Sequence, residues 1–499
     1  VALYRHAIAG VPFDSRAPRG GPDARIERRR YFPVALASSA QAAQRVFGIA
    51  WQDDGNGAVH ITVMSQDHLA QRDILVDNAN GDILAAAASD GSTYVYMFMV
   101  QAPSKGALST RATRMVRYDL ASGDRTELAA DASKAGLNIT SFNDVASLQY
   151  NQGRQGRQGR QGRLLLLIGR TMHRSPDGLN HQGGIAVEFD PNTLAVTKNH
   201  GQTSGHSFDN VLVPASNGEF VGIDLGDNYP RGIHLHRFAP PSPSSAAPDG
   251  GEPAKRAALS WDAALVYTFK TFHGTTPQSP AGRVYPEYEA ISDTQKFYQW
   301  SNDNGVYTEL GGVVPTAAGY TVVFAGEANS SGRALDNSRV GDGVADSRNL
   351  AVVQVRRDFD KVPAYGSVIP DDVMLTKAPA ESGGFYAFGG TWTPQRNTGV
   401  VWLTRYKDPA KQNATHIRAV PTPDGNIVIF WEQWTRTAYL TTFAAKITPA
   451  GRLITPPTDL GPTLRIPARD DLFLLGSDIY IITGRPADHA IDVAVVTAR

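Results

Sequence analysis

The chain is organised by a recurring contrast between continuous and alternating apolar strands. Seven short runs are apolar at nearly every position: residues 46–51 (VFGIAW), 94–100 (YVYMFMV), 164–169 (LLLLIG), 220–225 (FVGIDL), 320–326 (YTVVFAG), 427–432 (IVIFWE) and 479–484 (IYIITG). Side chains alternate across a strand, so a run apolar at both parities is buried on both faces. Most of these runs have a partner strand just upstream across a tight turn. The pairs are 82–88 with 94–98, 210–214 with 220–225, 312–316 with 320–326, 417–421 with 427–432 and 472–475 with 479–484. Asp-Gly, Asn-Gly and Ser-Asp supply turns of the hairpin kind.

Downstream of each run comes a strand with period-two alternation: 59–65, 113–120, 184–190, 232–238, 349–358, 441–448 and 491–497. A fourth, outer strand follows in some units, at 125–130, 195–201 and 264–272. Seven such units, without an amphipathic helix longer than two turns, predict an all-β chain built as a seven-bladed β-propeller. The expected organisation is a single domain over residues 1–499. It has an N-terminal arm at 1–30 and inserted loops at 151–163, 239–258 and 273–300. The first loop contains the tripeptide repeat RQGRQGRQGR, the second is Pro/Ser/Gly-rich, and the third is aromatic-rich.

Composition narrows the function classes. Lys plus Arg equals Asp plus Glu at 48 each, which argues against a nucleic-acid partner. The basic patch RIERRR at 25–30 reads as a solvated loop. Cysteine is absent, so disulfides, zinc thiolates and Cys nucleophiles are excluded. No segment has 18 uninterrupted apolar residues, so no membrane span is expected. Val1 in place of an initiator methionine points to processing or trimming. With the sequons at Asn138, Asn329 and Asn413, it leans the expectation towards a secreted or cell-surface protein.

The chain resembles the broad superfamily of secreted β-propellers, including lectin-like and cell-surface members, through its strand rhythm. No GH…WD pair recurs as in WD40 repeats. The double glycines at 183–184, 311–312 and 383–384 keep no fixed place as they would in kelch repeats. Residues 301–308 (SNDNGVYT) are similar to the Asp-box of sialidase-type propellers, with the aromatic one place early.

Several stretches carry residue types suited to binding. In 222–236, Asp224 interrupts an apolar strand, and Asp227, Tyr229 and Arg231 crowd the following turn. A carboxylate, a ring and a guanidinium together suit a sugar or a charged ligand. The plainer reading is a hairpin held by an Asp–Arg pair. Trp431 and Trp434, with Trp392, would be sugar platforms if exposed and blade packing if buried. Asp336, Asp342 and Asp346 punctuate a Gly-rich loop, as calcium ligands do, although the spacing is not that of an EF-hand and a solvated acidic loop is the simpler alternative. His234 and His236 share a strand face at metal-ligand spacing, or form a surface pair. His206, Ser207 and Asp209 contain triad residue types at a spacing unsuited to one local site, and no G-x-S-x-G elbow occurs.

Two functions follow. The first is a binding or structural protein without catalysis and without an obligate cofactor, which presents loops on one propeller face to a glycan or extracellular protein. The second is a propeller glycoside hydrolase or lyase with channel-facing carboxylates drawn from Asp209, Asp224 and Glu432. The channel discriminates between them, because converging acids signal an enzyme and a plugged channel signals a scaffold.

Overall fold

The computed structural model describes residues 1–14, 29–36, 46–65, 70–77, 82–91, 94–101, 113–130, 140–152, 162–174, 180–205, 207–226, 232–240, 262–268, 308–327, 347–358, 399–435, 437–467 and 469–497. The first blade is β2 (Tyr31–Leu36), β3 (Val46–Gln52), β4 (Val59–Ser65) and β5 (Ala70–Asp77). The second is β6 (Asp82–Ser89), β7 (Tyr94–Gln101), β8 (Thr113–Asp119) and β9 (Arg125–Ala130). The third is β10 (Thr140–Asn151), β11 (Arg163–Arg174), β12 (Asn180–Phe189) and β13 (Val196–Gly205). The fourth is β14 (Ser207–Pro214), β15 (Phe220–Gly226), β16 (Gly232–Phe238) and β17 (Asp262–Thr268). The fifth is β18 (Glu309–Pro315), β19 (Gly319–Glu327), β20 (Arg348–Arg356) and β21 (Val400–Trp402). The sixth is β22 (Asn413–Pro421), β23 (Ile427–Trp434), β24 (Tyr439–Ile447) and β25 (Leu453–Gly461).

The seventh blade is assembled from both ends of the chain. It orders β26 (Phe473–Leu475), β27 (Asp478–Arg485) and β28 (Ala490–Thr497), with β1 (Ala2–Ala7) outermost. All sheets are antiparallel, and each innermost strand touches the innermost strands of its two neighbours in a closed cycle from β2 through β26 back to β2. This is a seven-bladed β-propeller. All seven continuous apolar runs are second strands, covered by the neighbouring blade on each side. Leu164 to Ile168 of β11, for example, are fully buried.

Apolar clusters fill the wedges between blades. Leu165 and Leu167 of the third blade meet Leu212, Phe220 and Phe238 of the fourth. Phe47, Ile49 and Trp51 of the first meet Tyr480, Ile482 and Val493 of the seventh. Burying such side chains stabilises by about 2–3 kcal/mol each, which makes the inter-blade wedges the main source of cohesion.

The structure corrects the expected N-terminal arm, since residues 2–7 pair in register with β28 (Leu3 with Ala494, Tyr4 with Val493) and Arg5 Nε donates to Asp492 at 3.0 Å. The strand escaped the sequence pattern because it is exposed at most positions and its partner lies 487 residues away. The segment after it crosses to the first blade. Ile8 N donates to His489 O at 2.9 Å, Asp54 N to Val11 O at 2.8 Å, and the Tyr31 hydroxyl to Phe13 O at 2.6 Å.

Gly484 sits against that crossing, where a Cβ would overlap the Phe13 carbonyl oxygen and the Tyr31 hydroxyl. Gly484→Ala is therefore expected to lower stability by about 2 kcal/mol, as overpacking against backbone does. Urea unfolding of the variant checks it, and an unchanged midpoint would argue against this seam.

Candidate functional site

The innermost strands leave a central cavity of about 500 Å³, lined by residues of all seven blades. Most of its wall is apolar, including Phe32, Val34, Val211, Val313, Val420 and Leu474. At the end where the innermost strands finish, Pro214, Pro315 and Pro421 line it. Each pairs with the first residue or two of the next strand (Phe220, Tyr320 and Ile427). Proline suits an inner edge because it presents no unpaired N–H. The Val-Pro step before three hairpin turns was a legible signal of channel-lining strands.

The opposite end, where the innermost strands begin, is charged. Arg29 leads into the first blade, and its side chain crosses the channel. Nη1 donates to Ala146 O of the third blade at 2.7 Å and also to Ser147 Oγ. Nη2 donates to Asn210 O of the fourth blade at 2.8 Å, and Nε to Arg469 O at 3.2 Å. The expected solvated patch at 25–30 is thus corrected at Arg29, which is only 9% exposed, because backbone carbonyls rather than water satisfy its guanidinium.

Arg469, in the lead-in to the seventh blade, bonds to the Asp209 carboxylate on β14, across the ring. Arg418 on β22 donates from Nε to Asp470 O at 2.8 Å and from Nη1 to Ile417 O at 2.5 Å and Leu310 O at 3.4 Å. A bulge between Thr415 and Arg418 makes both turns of the chain possible, aiming Arg418 at the channel while His416 takes a left-handed conformation (φ 50°). Three guanidiniums therefore tie the lead-ins and innermost strands of blades one and three to seven.

The acids at this end are held in different ways. Burial pushes the Asp209 carboxyl up, against the pull of Arg469, Arg29 and Arg418. Glu309 accepts from the Thr415 hydroxyl at 2.6 Å and from Ile417 N at 3.0 Å. Burial raises its pKa, yet the nearby His416, Arg469 and Thr415 hold it below the usual carboxylate value. Asp470 is buried. Its Oδ1 accepts from Arg30 N at 2.6 Å, while Oδ2 has no partner among the described residues. Burial pushes its carboxyl up to about 6, more than the backbone N–H groups of Arg30 and Tyr31 lower it.

Because the folded chain binds the Asp470 proton more tightly than the unfolded chain does, stability falls as pH rises between about 4 and 6. The slope is at most ~1.4 kcal/mol per pH unit. Asp470→Asn should remove this falling component. Urea midpoints for the two proteins across that window test it, and parallel profiles would count against a buried, titrating Asp470.

The other sequence-selected residues are dispersed. Asp224 is fully buried in β15, where its Oδ2 accepts from the Thr203 hydroxyl at 2.8 Å and lies 3.1 Å from His236 Nε2. The expected surface pair His234 and His236 is likewise buried. Trp431 and Trp434 are blade packing rather than platforms. Trp431 stacks on Phe443 with 5.4 Å between centroids, and Trp434 Nε1 donates to Glu432 Oε2 at 2.7 Å.

Glu432 is also fully buried. It accepts from Arg465 Nε at 2.8 Å and Ile466 N at 2.8 Å, and His416 Nδ1 lies 2.9 Å from its Oε2 as an ion pair. Burial raises its pKa, but the His416 and Arg465 charges outweigh that and hold it low. Of the three acids considered for catalysis, only Asp209 lines the channel. Asn413 cannot carry a glycan in the folded chain, because its side chain is buried and its Nδ2 donates to Pro409 O at 2.8 Å. Asp227, Tyr229, Arg231, Trp392, Asp336, Asp342, Asp346, Asn138 and Asn329 lie outside the described residues. Among the described residues no cluster of three or more His, Asp or Glu could hold a metal ion, and no helix is long and apolar enough to cross a membrane.

Comparison with known proteins gives distant likenesses only. No protein-family model matches the chain, and no curated protein does. Among solved structures, it is similar to a protein of unknown function from Dyadobacter fermentans, at 10% identity and TM-score 0.39, covering 100% of this chain and 99% of that one. It is also similar to the six-bladed propeller lectin of Aleuria aurantia, at 9% identity and TM-score 0.33, over 85% and 96%. The α-L-arabinanase of Penicillium chrysogenum is similar at 10% identity and TM-score 0.34, over 100% and 99%.

Proposed function

We propose that this chain is a binding protein without catalytic activity, secreted or displayed at a cell surface. It offers the loops of one propeller face to a glycan or an extracellular protein. The observation that carries this reading is the state of the acids. Asp209 is tied to Arg469, Asp224 to Thr203 and His236, and Glu432 to Arg465, His416, Trp434 and Ile466. A glycosidase needs two carboxyl groups facing the substrate, about 5–9 Å apart, one of them free to give up a proton. Asp471, the other acid that lines the channel, lies 3.8 Å from Arg29; carboxylates held by internal cations and donors serve cohesion instead.

The test is a glycan array and an extracellular-protein pull-down with the full chain, run beside a reducing-end and unsaturated-product assay on the same glycans. Saturable binding without product is expected. Product formation that Asp209→Asn abolishes would establish the hydrolase or lyase reading instead, and the absence of any ligand would defeat the binding reading.

A further inference from the structure

The central channel can take a ligand of its own, apart from the face loops. Its volume of about 500 Å³ is that of a small-molecule site. The class of ligand follows from which of its lining groups already have partners.

The charged end is balanced. The guanidiniums of Arg29, Arg418 and Arg469 stand there with the carboxyl groups of Asp209, Asp470 and Asp471. Arg469 is held by Asp209, and Arg29 by backbone carbonyls, with Asp471 3.8 Å away. Arg418 is held by the carbonyls of Asp470, Leu310 and Ile417. An ionic head group of either sign would shed its water here without gaining a free counter-charge.

The rest of the wall is mainly apolar. Pro33, Pro214, Pro315 and Pro421 lie on the innermost strands of four blades. A proline on an edge strand turns its missing N–H to the unpaired side, so these four take donors out of the channel wall. The polar side chains near the finishing end are Ser89, Gln149 and Tyr150. Ser89 Oγ donates to Tyr94 O at 2.9 Å, and the Tyr150 hydroxyl lies against Gly162. That leaves the Gln149 amide, which can donate or accept one hydrogen bond without bringing a charge.

We propose that the channel binds one neutral, mainly apolar molecule with a single hydroxyl, of the class of a medium-chain alcohol. Its hydroxyl meets Gln149, and its alkyl body runs inward along Val211, Leu472 and Phe32. It enters from the end where the innermost strands finish, because Arg29 spans the other.

Isothermal titration of the full chain with octan-1-ol, octanoate and octylamine tests neutrality, and hexan-1-ol tests burial of the alkyl body. Octanol should bind saturably at one site per chain, with both ionic ligands at least about tenfold weaker. Removing two methylenes should weaken binding by about tenfold, as burial of an alkyl chain predicts. Gln149→Leu should weaken octanol by at least about threefold, the loss of one hydrogen bond, and leave the octanol-to-hexanol ratio unchanged. Val211→Phe and, separately, Ala419→Phe narrow the channel from the fourth and sixth blades without touching a charge. A variant that keeps the wild-type circular dichroism spectrum should lose the site. The proposal is overturned if octanol shows no saturable heat at millimolar concentration, or if octanoate or octylamine binds as well as octanol. It is equally overturned if Gln149→Leu, or both folded phenylalanine variants, bind octanol as the wild type does. None of these outcomes bears on glycan or protein capture by the face loops.

Discussion

Replacing Glu432 with alanine is expected to cost about 3–5 kcal/mol of stability, the range for breaking a buried charged network by removing one partner. The carboxylate accepts from three donors, on Arg465, Ile466 and Trp434, and forms an ion pair with His416, while the carboxylate itself is fully buried. Burial alone would lower the His416 pKa, and Glu432 more than reverses this, so the histidine is held as a cation by the acid. In Glu432→Ala that support disappears and Arg465 is left facing a cavity. Glu432→Gln keeps an acceptor of nearly the same shape and should recover part of the loss. The wild-type His416 contribution is present below the unfolded histidine value of ~6.5 and is lost as pH rises through the raised folded value. The alanine variant should lack that alkaline decline. Urea unfolding at two pH values reads both effects, and a loss below ~1 kcal/mol would mean that Glu432 is not the hub described.

Arg29→Met should be nearly as damaging, at about 3–4 kcal/mol. Methionine keeps much of the aliphatic volume but none of the donors. The carbonyls of Ala146, Asn210 and Arg469 and the Ser147 hydroxyl would lose a charged partner, and each charged hydrogen bond contributes about 1.5–3 kcal/mol less any compensation by entering water. Arg29→Lys should rescue little, because one ammonium cannot replace a planar fork that reaches three segments. Hydrogen exchange gives the sharper readout. Opening should increase around Ala146 in β10 and Asn210 in β14 and at the lead-in to β26, and uniform exchange across the blades would contradict a local channel lock.

The fold was legible in this sequence for a specific reason. A strand buried between two blades must be apolar at both parities, so β11 (LLLLIG) and β23 (IVIFWE) announce themselves without reference to any partner. Outer strands carry no such demand. β25 (LITPPTDLG) is exposed along most of its length and holds two adjacent prolines, which an edge strand tolerates and a central strand does not. It offered no pattern to detect. Nor did β1, whose assignment depends on a register set at the far end of the chain.

The site was harder to read because polar chemistry depends on neighbours that strand rhythm does not specify. Asp224 and the His234–His236 pair stood out separately as an interrupted strand and a metal-like spacing. They are one buried arrangement, since Asp224 pairs in register with His234 and lies diagonal to His236 on the adjoining strand. An acid and a histidine on strands joined by one hairpin were available as a hint. Arg29 was less accessible. It lies in a run of like charges that resembles a solvated loop, and only closure of the ring brings Ala146 and Asn210 around it. Glu432 looked like a candidate acid at the end of an apolar strand, and its saturation comes partly from Arg465, in a segment without regular secondary structure.

The charged end of the channel adds cohesion to that of the apolar wedges, and the Asp209–Arg469 pair across it is the most direct place to measure this. A double-mutant cycle of Asp209→Asn and Arg469→Gln, read by urea unfolding, isolates their interaction from the loss of each side chain alone. A coupling of at least ~2 kcal/mol is predicted for a buried pair that joins the fourth blade to the lead-in of the seventh. Additive losses, with coupling below ~0.5 kcal/mol, would show that Asp209 is not engaged as described and would return it to the list of acids available for catalysis.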